Sequence, residues 1–227
     1  AFIACVAIPA LLALLRGARD RFPPEVFHPA HAVRSSGRHA SWRLFRDLRF
    51  LALLPAYITS GFVATGLILY QSHLAASKGW TLEWMALAFS AFAVARLVLS
   101  LVVGPIIDRF QARRVFPFSL LPLLVGVALM VSVDAPWIVW CYYALMGASM
   151  GMGGAASSAM WAERYGVERL ATIKSSTSMV AILGTAVSPA LIGWALDQGV
   201  RFDTILLAVA GWIVLATVGA IWSLEAG

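Results

Sequence analysis

Residues 50–77 read FLALLPAYITSGFVATGLILYQSHLAAS, with no Asp, Glu, Lys or Arg. A spanning helix needs ~20 consecutive apolar residues to cross the hydrocarbon core of a bilayer. A helix also bonds its own backbone there, where no water is available to do so. Four further stretches are free of charge: Val115–Val133, Ala135–Ala162, Ser175–Leu196 and Thr204–Leu224. A sixth, Trp84–Ile107, contains one charge, Arg96. The composition agrees, with 61% hydrophobic and 12% charged residues and a mean hydropathy of +0.84. The chain is therefore read as all-α, a polytopic membrane helix bundle over 50–224. Its spans are expected near 50–72, 84–107, 115–133, 136–161, 175–196 and 204–224.

A shorter apolar run, Ala1–Leu15, precedes these spans and is followed by Arg16, Arg19 and Arg21. A signal peptide carries its positive charges before the apolar run, so residues 1–15 read as a truncated transmembrane helix. Residues 16–49 read as a linker loop, in which Pro23, Pro24, Pro29, Ser35, Ser36 and Gly37 oppose regular structure. Its last part, Ser41–Arg49, spaces Trp42, Phe45 and Leu48 one turn apart with arginines between them, which predicts an interfacial helix.

Orientation follows from the basic residues. Fourteen of the 17 Lys and Arg lie in 16–49, 109–114 and 164–174, whereas the alternate connections hold only Lys78 and Arg201. By the positive-inside rule, loops 16–49, 109–114 and 163–174 face the cytoplasm. A multi-pass protein of the plasma (cell inner) membrane is expected, and topology accounts for the net charge of +6. Basic residues split among short membrane-flanking loops make no folded basic face, so nucleic acid is not an expected partner. The short connections predict that consecutive helices pack as antiparallel neighbours. Trp80, Trp84, Trp137, Trp140, Trp161, Trp194 and Trp222 are expected at headgroup depth.

Little points to cofactor, metal or redox chemistry. Cys5 and Cys141 sit inside apolar runs without ligand spacing, and His28 and His31 flank Pro29 in the broken loop. No metal or cofactor is expected. A membrane enzyme would need acids, His or a nucleophile converging at one depth, and the spans offer one Arg and scattered hydroxyls.

The stretch Gly104-Pro-Ile-Ile-Asp108-Arg109-Phe-Gln-Ala-Arg113-Arg114 joins the end of one apolar run to the start of the next. It resembles the GxxxDRxGxRR loop of the major facilitator superfamily, with Gln111 in place of the second glycine. A second, weaker match, Gly184-Thr-Ala-Val-Ser-Pro189-Ala-Leu-Ile-Gly193, is similar to the GxxxGPxxGG motif of that family, with Ser188 and Ile192 in place of two glycines. The resemblance covers nearly the whole chain and implies the C-terminal half of such a transporter, from the end of helix six to helix twelve. A missing N-terminal six-helix half would then be its partner.

The resemblance implies a cytoplasmic gate at Gly104, Asp108, Arg109, Arg113 and Arg114. Gly104 would admit a neighbouring backbone, and Asp108 would face a helix N-terminus. Glu163, with Arg164, Glu168 and Arg169, should lie close to that loop and could form ion pairs with it, although a solvated loop is the plainer alternative. Gly184, Pro189 and Gly193 would permit kinking and close packing.

Arg96 lies about halfway along its span, where a charge costs roughly 2.5–3.5 kcal/mol and needs a partner. An anionic solute, an acid of the other half and snorkelling all remain open for it. Arg suits an anion because its planar fork grips carboxylate or phosphate at two points. Tyr57, Gln71 and Tyr143 are the further candidates for lining a solute pocket. Between Tyr143 and Ser158, small residues at Gly147, Gly151 and Gly154 form a stripe better suited to helix packing. The expected function is secondary transport of a small solute by alternating access, with an organic anion as the first candidate and a coupling ion or counter-substrate supplying the free energy. The second reading is multidrug efflux of amphipathic or cationic compounds. A non-transporting scaffold would need a folded appendage, which residues 16–49 do not supply.

Overall fold

The computed structural model describes residues 46–225. The expected helix over 1–15 and the linker up to residue 45 lie outside the described residues, as do His28, His31 and Cys5. Eight helices follow one another: α1 Leu48–Leu69, α2 Gln71–Lys78, α3 Leu82–Phe110, α4 Ala112–Phe118, α5 Leu121–Ser132, α6 Ile138–Tyr165, α7 Val167–Asp197 and α8 Phe202–Glu225. Local chemistry sets their ends. Asp47 is extended and its carboxylate accepts the Arg49 amide at 3.0 Å, so α1 starts at Leu48. The expected interfacial helix over 41–49 lies mostly outside the described residues; within them, Arg46 is a turn and the helix begins only at Leu48. Thr81 caps α3 by accepting the Trp84 amide at 3.2 Å. A single residue, Gly166 at φ 80, separates α6 from α7.

Five helical segments are long and apolar enough to cross a membrane: α1, α3, the α4–α5 pair from Ala112 to Ser132, α7 and α8. The chain is a multi-pass membrane protein. α6, though 28 residues long, is diluted by Gly147, Gly151, Gly153, Gly154, Ser149, Ser157 and Ser158. Its packing gives the reason, because α6 touches α1, α3, α4, α5 and α7 and so faces protein more than lipid. A helix in that position can carry small residues where lipid-facing ones carry Leu and Val. At Gly147 an added Cβ would run into the Phe92 carbonyl oxygen, and at Gly151 it would stand 2.5 Å from that of Arg96. The small stripe is the seam between α6 and α3, while Gly154 has nothing within 4 Å.

The expectation that consecutive helices pack as neighbours fails at α7 and α8, which scarcely meet because both pack on α1. α1 and α3 likewise share no substantial interface, since the extra helix α2 carries the chain across. Trp161, four residues from the end of α6, faces protein rather than the surroundings. It is fully buried, with ring centroids 5.3 Å from Phe50, 6.2 Å from Tyr57 and 5.9 Å from Tyr165.

Candidate functional site

Three of the four candidate solute-pocket residues fall on one continuous ladder. The Tyr143 hydroxyl, on α6, donates to Gln71 Oε1, on α2, at 2.9 Å. The Tyr143 ring meets Phe89 edge-on at 5.3 Å, and Phe89 stacks on Phe92 at 5.0 Å. The Arg96 guanidinium carbon lies 5.9 Å from the Phe92 ring centroid. Phe89, Phe92 and Arg96 are spaced by three and then four residues, which places them on one face of α3. Arg96 is itself exposed on α3, and its carbonyl lies against Gly151, midway along α6. Its side chain returns one turn toward the helix N-terminus, the ordinary direction for helical side chains.

Among the described residues no carboxylate pairs with Arg96. The Phe92 ring contributes about 0.5–1 kcal/mol through the cation–π interaction, less than the roughly 2.5–3.5 kcal/mol cost of a charge at that depth. The ladder alone does not compensate the charge.

Tyr57 is elsewhere. It packs edge-on against Trp161 and lies fourteen residues before Gln71, roughly 20 Å along the helix direction. Tyr57 therefore does not join Gln71 and Tyr143 on the ladder, where the expectation had grouped the three.

The basic loop is built around Gln111, which joins α3 to α4 at φ 68 and ψ 139. It is the one non-glycine residue with positive φ among those described. The turn therefore keeps the backbone a glycine would adopt, although the residue is Gln. Gln111 gives α4 no side-chain cap, and Glu163 supplies one from α6. Its Oε1 accepts the Ala112 amide at 2.9 Å and its Oε2 accepts the Arg113 amide at 3.2 Å. Glu163 thus meets the loop as expected, but through backbone amides at a helix N-terminus rather than through ion pairs.

Arg113 Nε donates to Gln111 Oε1 at 2.9 Å, and Arg109 lies over Phe110 at 5.5 Å. Asp108, Arg109 and Arg114 are exposed, and an added Cβ at Gly104 would meet nothing within 4 Å. The expected approach of a backbone to Gly104, and of Asp108 to a helix N-terminus, does not occur among the described residues. Both lie on the outer side of α3, a helix packed chiefly against α6.

On α7 the helix runs unbroken through Pro189, and Gly184 makes ordinary contacts with Ile58 on α1, 3.7 Å from a Cβ built there. A Cβ at Gly193 would collide with the Tyr70 hydroxyl. The positions where Ser188 and Ile192 replace glycine are buried against Gly66 of α1, whose Cβ would clash with both side chains. The small residue has moved to the partner helix. Ser188 Oγ adds a hydrogen bond to the Phe62 carbonyl at 2.6 Å.

The sequence reading missed Phe89 and Phe92, whose spacing to Arg96 was the available signal. It also missed Lys78, read only as a marker of topology. Lys78 pairs with Asp134 and lies 3.7 Å from Asp203, which Arg201 also meets at 3.2 Å.

Comparison with known proteins agrees with this architecture. A family model described as Major Facilitator Superfamily matches residues 53–226. The chain is also similar to the multidrug resistance protein MdtH of Yersinia enterocolitica, 26% identical over 141 residues, which cover 60% of this chain and 35% of that protein. The chain thus spans about a third of that relative's length.

Proposed function

The chain belongs to the Major Facilitator Superfamily, and from that premise we propose that it forms the C-terminal half of a secondary transporter that moves a small solute by alternating access. The observation that carries the substrate reading is the ladder from Gln71 through Tyr143, Phe89 and Phe92 to Arg96. It ends on a charge at mid-span that one aromatic ring does not compensate, and an organic anion would compensate it. Tyr143 and Gln71 are the polar groups that would orient the solute, and Phe89 and Phe92 would form its apolar wall. Tyr57 would take no direct part. Transport of this kind needs no catalytic residue, and the free energy would come from a coupling ion or counter-substrate.

In this reading the N-terminal six-helix half supplies the facing wall, the inner membrane is the location, and the basic connections are cytoplasmic. The outward-facing Gly104, Asp108 and Arg109 would meet that half when the cytoplasmic gate closes. Glu163 would hold the gate loop in place from behind by capping α4, beside Arg113 and Arg114.

A second reading is efflux of amphipathic compounds. The stacked Phe89 and Phe92 favour it, as does the similarity to a protein named for multidrug resistance. Uptake of radiolabelled organic anions into proteoliposomes carrying both halves separates the two readings. The anion reading expects uptake that is lost in Arg96→Gln, with insertion unchanged. Absence of anion uptake, or uptake indifferent to the substitution, would sink it and leave efflux of neutral or cationic compounds.

A further inference from the structure

A cavity of about 600 Å³ opens among the starts of α1 and α4 and the ends of α6 and α8. Arg49, Arg113 and Arg164 line it, and Glu163 is the one carboxylate among its described lining residues. Glu163 is already committed, because both of its oxygens accept amides of α4. None of the three guanidinium groups meets a carboxylate at ion-pair distance among the described residues. Arg164 reaches the Ser223 carbonyl, at 3.3 Å, and neighbouring Tyr165, whose ring centroid lies 5.8 Å away. Arg113 has only the neutral Gln111 amide. Three arginines thus line the cavity against the single carboxylate of Glu163, and Met160 and Leu224 add apolar lining.

We infer that this cavity holds the phosphate headgroup of an anionic phospholipid. The guanidinium fork matches a phosphate diester, and the cavity lies where the spans end, at headgroup depth. The apolar lining from Met160 and Leu224 suits the first methylenes of a lipid, which a free anion lacks. The inference is independent of the transport reading, since Arg96 lies mid-span and lines no part of this cavity.

Native mass spectrometry of the full chain in detergent, with equal amounts of phosphatidylglycerol and phosphatidylcholine of the same acyl chains, tests it. One phosphatidylglycerol should be retained in preference to phosphatidylcholine. Arg49→Gln and Arg113→Gln should each weaken that retention roughly fivefold, the share of one arginine near a headgroup. Arg201→Gln, at the opposite end, should leave it unchanged. Arg49→Gln is the safer variant for folding, because Ser223 Oγ bonds the Arg49 carbonyl and not its side chain. Equal retention of the two lipids, or an equal loss in Arg201→Gln, would overturn the site. Displacement of phosphatidylglycerol by an equimolar amount of inorganic phosphate would assign the cavity to a soluble anion and overturn the lipid.

Discussion

At one end of the bundle Lys78 lies between Asp134 and Asp203 and ties together the end of α2, the α5–α6 connection and the start of α8. At the other end, where the basic residues gather, no ion pair forms among the described residues, and the well-placed carboxylate of Glu163 caps a helix instead. The end with few charges uses them as a clasp, and the end with many leaves its arginines open. Charge count carries the expected orientation, while pairing depends on whether an acid is free to answer. Lys78 is nearly buried, its side chain 7% exposed, so its stem packs while its head reaches two acids. The arginines at the opposite end face the exposed rim or the cavity.

The strongest challenge to this contrast is Glu163→Ala. Loss of two charge-assisted bonds to the α4 amides should destabilise the protein by about 1–2 kcal/mol, read as a lower thermal midpoint by size-exclusion in detergent. Glu163→Gln retains an acceptor and should recover part of the loss. If the alanine variant melts like wild type, the cap is not what orders that end.

Lys78→Met keeps the apolar stem and removes the charge. The exposed acids limit its cost to at most about 1 kcal/mol, and high salt should shrink the difference from wild type. The Glu163→Ala difference should be less sensitive to salt, because its partners are backbone amides. Equal salt dependence of the two variants would erase the distinction between the ends.

Gln111→Gly is the smallest effect and has the opposite sign. Relief of a positive φ is worth about 1–2 kcal/mol, and the added freedom of the unfolded chain offsets about 0.5–1 kcal/mol. A net gain of roughly 0.5 kcal/mol remains, visible as a slightly higher midpoint. A loss of stability would mean that the Gln111 contact to Arg113 matters more than the backbone.

Much of this was legible in advance. The charge-free runs announced the helices, the basic clusters announced which ends lie together, and the Gly104–Arg114 stretch announced the family. Arg96 also stood out, because a lone charge in a long apolar run needs no alignment to be noticed. Its neighbours on the ladder did not stand out, since Phe89 and Phe92 are two aromatic residues among many in a helix of apolar residues. Tyr57 stands off the ladder because residue type names a candidate while distance along the helix decides its company.

The sequence by itself determined what lipid enforces, charge-free helices, and its basic connections give the orientation to be expected. The tertiary structure alone decided which face of each helix meets which neighbour. In water an apolar stripe marks the inner face of a helix, but lipid tails are as apolar as Leu, and that contrast disappears. Close packing of small residues takes its place, and a glycine serves equally well on either partner, as Gly66 does opposite Ser188 and Ile192. Glu163 was assigned to amides rather than arginines for a related reason, because the uncapped start of α4 exists only once α3 and α4 have folded and α6 has packed beside them.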